Sequence, residues 1–77
     1  MTAREAREIL AAVAEAHGLP VPAVVGECRV PRLVKARRDA VRRLFDGGLS
    51  LRDIGRVLNR HHTSVGHLLG RYKQEAA

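Results

Sequence analysis

Glycine, proline and asparagine cut this chain into short segments, and where they fall restricts what it can fold into. His17-Gly18 can end a first helix, because Gly18 accepts the left-handed conformation, and Pro20 stops any continuation. Glu27 to Val30 reads as a loop, with Pro31 fitting the first turn of the next helix. Asp46-Gly47-Gly48 is a stop and turn. Asn59 tolerates positive φ and can turn the chain between two further helices.

Between these breaks the apolar residues recur at helical spacing. Thr2-Ala3-Arg4-Glu5 has the form of a capping box, and Ile9, Leu10, Val13 and Ala16 follow it. Val21 to Gly26 suits a helix of one or two turns, with Pro22 in its first turn and Val24 and Val25 buried. From Leu33 to Phe45 the apolar stripe is Val34, Val41, Leu44 and Phe45, and Lys35, Arg38, Arg42 and Arg43 lie mostly off it. Ser50 caps the next helix with Asp53 reaching back, and Leu51, Ile54, Val57 and Leu58 form its apolar face. A last helix is predicted from about His62 to Lys73, with Val65, Leu68, Leu69 and Tyr72 inward. No strand candidate, internal repeat or dividing linker is present, so residues 1–77 are expected to form one small all-α bundle.

Charge placement narrows the partner. Residues 1–28 hold two Arg against four Glu, a net −2. Residues 29–73 hold ten Arg and two Lys against Asp39, Asp46 and Asp53, a net +9. A small domain polarised in this way usually faces a polyanion, with a solvated basic surface as the blander alternative. One Phe, one Tyr and no Trp argue against base stacking as the main binding mode. The single Cys28 excludes an intrachain disulfide and suits a reducing cytoplasm. There is no apolar run long enough to span a membrane, and the N-terminus lacks the features of a secretory signal. A cytoplasmic, nucleoid-associated protein is expected.

The helices on either side of Asn59 make a helix-turn-helix candidate over about residues 50–73. Ile54 and Leu58 lie one turn apart, Val65 and Leu68 face them, and Gly55 is small where the second helix must cross closely. That second helix opens on Arg60, His61, His62, Thr63 and Ser64. A recognition helix reads base edges through its N-terminal residues, which need donors and acceptors that fit a major groove about 12 Å wide. Imidazoles and hydroxyls meet that need, and threonine adds a methyl for thymine C5.

Other chemistries fit the same residues less well. His61, His62 and His67 lack the i, i+4 spacing that sets two imidazoles on one helix face, and no cysteine pair joins them, so no metal or other cofactor is expected. Ser64 and His67 are three residues apart with no evident carboxylate to orient the histidine, so no enzyme is expected. His17 reads as a favourable cation at a helix end or a surface residue, and Cys28 as a loop residue.

"SLRDIGRVLNRHHTSVGHLLGRY" resembles the C-terminal DNA-binding domain of the bacterial replication initiator DnaA, whose signature is close to I-G-x-x-x-G-(G)-R-D-H-T-T-V-x-H. "RLVKARRDAVRRL" is similar to that family's long basic helix, "GECRVPR" to its basic loop, and "ILAAVAEAHGLPVPAVVG" to its opening helices. The resemblance covers roughly residues 8–72. It implies a Trp-repressor-like helix-turn-helix bundle that binds double-stranded DNA. Arg60, His62, Thr63, Ser64, Val65 and His67 match the signature, whose histidine-threonine part contacts bases. In the family an arginine of the preceding basic loop enters the minor groove; Arg29 and Arg32 are the candidates here. Arg38 matches a phosphate-holding position, and Lys35, Arg42, Arg56, His67 and Arg71 are further candidates for phosphate.

The chain departs from that pattern in three places. His61 stands where the family has aspartate, so a base contact could be donated rather than accepted. Protonation of His61 in a phosphate-rich groove is expected to strengthen binding as pH falls. Gly66 replaces a larger apolar residue. No G-x-x-x-x-G-K-[ST] occurs, so these 77 residues are not expected to supply the family's ATPase module. The expected role is that of a bacterial or phage transcriptional regulator, or a protein that binds a replication locus. The alternative is an adaptor of the same fold docking on RNA polymerase or a replication protein.

Overall fold

The computed structural model describes the backbone of residues 1–76 and the side chains of residues 1–70. The chain is all-helical, with no strand among the described residues. Its helices are α1 (Ala3–Ala16), α2 (Val21–Val24), α3 (Pro31–Asp46), α4 (Leu51–Leu58) and α5 (His62–Ala76).

Local chemistry sets most of the helix ends. Thr2 Oγ1 accepts the Glu5 N–H at 3.2 Å and starts α1. Gly18, at φ 68°, ends it. There the Leu19 N–H returns to the Ala14 carbonyl at 2.9 Å and the Gly18 N–H to Glu15 at 3.0 Å. Gly48, at φ 100°, closes α3 in the same way, with Leu49 donating to Leu44 at 3.1 Å. Pro31 opens α3, where its missing N–H costs nothing.

The core is aliphatic. Val13, Val24, Val41, Leu44, Ile54, Leu58 and Val65 are fully buried. α3 lies at the centre and packs on each of the other helices; α4 and α5 pack closely on one another.

The buried face of α3 differs from the expected stripe. Leu33, Ala36, Arg37, Ala40, Val41 and Leu44 form it. Val34 is half-buried and Phe45 is exposed, so the true face is rotated away from both. Alanines let the neighbouring helices approach α3 without a large apolar side chain marking the face. In α1 the buried set is Ala6, Leu10, Val13 and Ala14, and Ala16 points outward. His17 is more than a surface residue: its Nε2 lies 3.1 Å from Asp39 Oδ2, joining the end of α1 to α3. Arg43 Nε donates to the other oxygen of Asp39 at 3.0 Å.

Candidate nucleic-acid interface

The α4–turn–α5 unit is built on a close approach of backbone to backbone. Ser50 Oγ accepts the Asp53 N–H at 3.2 Å and caps α4. After Leu58, Asn59 adopts φ 55° and ψ 47°, the left-handed conformation. The Arg60 N–H then returns to the Gly55 carbonyl at 2.8 Å. The turn passes so near Gly55 that a Cβ there would lie 2.5 Å from the Arg60 carbonyl oxygen. Gly55 is therefore small because the turn itself, rather than the body of α5, crosses it. A Cβ on Gly66 would meet only Leu51 Cδ1 at 3.8 Å, and one on Gly70 would meet nothing within 4 Å. Packing among the described residues requires neither of those glycines.

His61 caps α5. Its carbonyl accepts the Val65 N–H at 3.2 Å. Its imidazole Nδ1 accepts the Thr63 N–H at 3.3 Å and lies 2.8 Å from Thr63 Oγ1. The tautomer that fits this contact carries its hydrogen on Nε2, since a ring nitrogen that accepts an N–H bears no proton. The Thr63 hydroxyl then donates to Nδ1. An imidazolium has no acceptor, so protonation of His61 would release this cap. The His61 and His62 rings lie with centroids 4.3 Å apart, tilted by 33°. His61, Thr63, Ser64 and His67 are exposed, and His62 is half-buried.

Arg60 is directed elsewhere than the sequence suggested. Its Nη2 donates to the Gly26 carbonyl, and its Nη1 lies 3.5 Å from its neighbour Asn59's carbonyl. Arg37 donates to that same Gly26 carbonyl at 2.8 Å, and also to Val24 at 2.7 Å and Ala23 at 3.3 Å. It thereby serves carbonyls at and just beyond the end of α2, where Ala23 also accepts the Gly26 N–H at 3.2 Å. Arg37 is only 4% exposed. Its burial, and then the neighbouring Arg60, push its pKa below the usual arginine value; Arg29 adds to this and Cys28 opposes it. The sequence reading missed Arg37, since an arginine beside Arg38 on a basic helix looks solvated.

The remaining candidate cations fall on several sides. Arg32 Nη2 donates to the His17 carbonyl at 3.2 Å, which ties it to the end of α1. Arg29, Lys35, Arg42 and Arg56 are exposed, and Arg38 is half-buried. Arg56 Nη1 stands 3.9 Å from Asp53 Oδ1. The side chains of Arg71 and Tyr72 lie outside the described residues. Two clefts flank the start of α5. One, of about 510 Å³, is bordered by Arg52, Arg56, Arg60, His61 and His62. The other, of about 640 Å³, is bordered by Arg29, Arg37, Arg60, Ser64 and His67, with Glu27. Arg52 is a second cation that the sequence reading passed over, one turn before Arg56 on α4.

Among the described residues, no group of three or more His, Cys, Asp or Glu comes together to hold a metal. None of the described helices is long and apolar enough to cross a membrane. No known protein family matches the chain, and neither a curated protein nor a solved structure does.

Proposed function

We propose that this chain binds double-stranded DNA with sequence preference through the start of α5. The observation that carries the reading is the exposed row His61, Thr63 and Ser64 at a helix N-terminus, with arginine-bordered clefts on both sides. Base-reading groups need to stand clear of the core while cations on either flank hold the phosphates. The resemblance of Arg60 to His67 to the DnaA signature supports the same reading. The role is that of a transcriptional regulator or a protein that marks a replication locus.

The cap on α5 gives the contact a definite chemistry. With Nδ1 engaged by Thr63, His61 offers an Nε2–H donor outward, which suits guanine N7 or O6. Thr63 keeps its methyl and its oxygen lone pairs for a neighbouring base. Arg60 holds the turn through the Gly26 carbonyl, and Arg29, Arg52, Arg56 and Lys35 are among the exposed cations available for phosphate or minor-groove contact.

Selection from a randomised duplex pool tests the proposal. A defined motif should emerge, and Thr63→Ala should lose about 1–3 kcal/mol on it with little change on random duplex. His61→Asp should move the preference at one position from guanine toward cytosine. Lys35→Ala should weaken all duplexes alike and lower the salt slope by roughly one. Absence of any sequence preference at low and at high salt would refute base readout and leave the protein-adaptor role standing.

A further inference from the structure

The cleft between the α2–α3 loop, α3 and the start of α5 gathers positive charge that the described residues do not balance. Arg29, Arg37 and Arg60 border it, against Glu27 as its one acidic residue. Arg37 and Arg60 are hydrogen-bonded to main-chain carbonyls alone, and no ion pair engages either of them among the described residues. Two guanidinium groups that share the Gly26 carbonyl repel each other, and Arg37 does so while almost wholly removed from water. Carbonyl dipoles satisfy the donors of a buried cation but do not cancel its charge. Burial first, and then the nearby Arg60, hold the pKa of Arg37 below the usual arginine value.

The α5 side of the same cleft presents the Ser64 hydroxyl and the His67 imidazole, both exposed. Guanidinium forks, a hydroxyl donor and an imidazole in one pocket make a donor set for a tetrahedral oxyanion. We propose that this cleft is a phosphate-binding site, in which Arg29 and Arg60 supply charge, Ser64 and His67 supply hydrogen bonds from α5, and Arg37 underlies the pocket as a fixed positive charge. A bound phosphate would relieve the repulsion between Arg37 and Arg60 and tie α5 to the α2–α3 loop. The phosphate could be a phosphodiester of the DNA backbone or a free phosphate group; the chemistry is shared, and the DNA source alone rests on the function proposed above.

The test has two arms on the full chain. In the first, inorganic phosphate is titrated against amide resonances, with chloride at matched ionic strength as the control. Saturable shifts at Gly26, Ser64 and His67 are expected, and Arg60→Gln and Arg29→Gln should each weaken binding about tenfold, the effect of one charge-assisted hydrogen bond. Thermal unfolding of both variants checks that the fold persists. Shifts that chloride reproduces, or an affinity that both variants leave unchanged, would overturn the proposal. In the second arm, single methylphosphonates are walked along the selected duplex. If the phosphate is DNA's, one position should weaken wild type about tenfold and leave Arg60→Gln nearly indifferent. If phosphate binds in the first arm but no duplex position behaves so, the cleft serves a free phosphate group. If no duplex motif can be selected at all, the first arm still decides the site.

Discussion

Gly55→Ala sets two opposing effects against each other, and the structure decides the sign. In an isolated helix alanine is better than glycine by about 1 kcal/mol, so propensity alone forecasts a stabilised protein. The added Cβ, however, would sit 2.5 Å from the Arg60 carbonyl oxygen and 3.6 Å from the His62 nitrogen. Those are main-chain atoms, so the turn must move as a body. Overpacking of this kind costs about 1–3 kcal/mol. Moving the turn also stretches the 2.8 Å bond from Arg60 N–H to the Gly55 carbonyl, a further loss of about 1 kcal/mol. The net expectation is destabilisation by about 1–3 kcal/mol, or a Tm lower by roughly 5–20 °C for a domain of this size. Gly66→Ala is the matched control, since its Cβ meets only Leu51 Cδ1 at 3.8 Å. It should stabilise by about 0.5–1 kcal/mol, the propensity gain alone. Thermal unfolding followed by circular dichroism reads both. If Gly55→Ala melts at or above wild type, the turn has slack, and the close approach does not fix where α5 begins.

Three further expectations follow from single contacts. Asn59→Ala should cost about 1–2 kcal/mol in urea unfolding because of its φ of 55°, whereas Asn59→Gly should be close to neutral. Arg37→Met strips the donors from the carbonyls of Ala23, Val24 and Gly26, and should lower the urea midpoint by an amount equivalent to about 2 kcal/mol or more; Arg37→Lys should not restore it, because one ammonium nitrogen cannot stand in both places that Arg37 Nε and Nη2 occupy. Nitrogen NMR of the His61 ring should show an unprotonated Nδ1 at neutral pH, with Thr63→Val weakening that preference; a protonated Nδ1 in wild type would remove the donor assignment to Nε2.

The limits of the helices were legible because the residues that make them act locally. Thr2, Gly18, Pro31, Ser50 and Asn59 each work through their own backbone or a neighbour within one turn, and all stand where their types demanded. The face of α3 was legible only in part: Val41 and Leu44 are buried as expected, Val34 is half-buried and Phe45 is exposed. Val34 and Phe45 are large enough to attract a hydropathy reading, but Ala36 and Ala40 form the buried line with Leu33, Val41 and Leu44. That i, i+4 alanine pair was the signal to weigh. The sequence pointed to the start of α5 as the candidate site, and the structure leaves His61, Thr63 and Ser64 exposed there. It could not show where Arg60 points, since its acceptor, Gly26, comes close only after the fold closes. His61 as a cap also escaped, because its aromatic ring suggested a role toward a partner before one toward its own helix.

The Gly26 carbonyl has a consequence for the order of assembly. Arg60 reaches it across 34 residues of sequence, and a loop of that span forms later than the contacts inside the α4–turn–α5 hairpin. The acceptor is in position only once α2 has seated on α3, where Arg37 grips its last carbonyls. The hairpin can therefore exist before it is latched. The expected reverse step in the native protein is a partial opening in which α2 lifts, Arg60 loses its acceptor, and the helices on either side of Asn59 stay paired. Deuterium uptake at the Val25 and Gly26 amides, which bond back into α2 at 3.1 and 3.2 Å, would clock that unlatching.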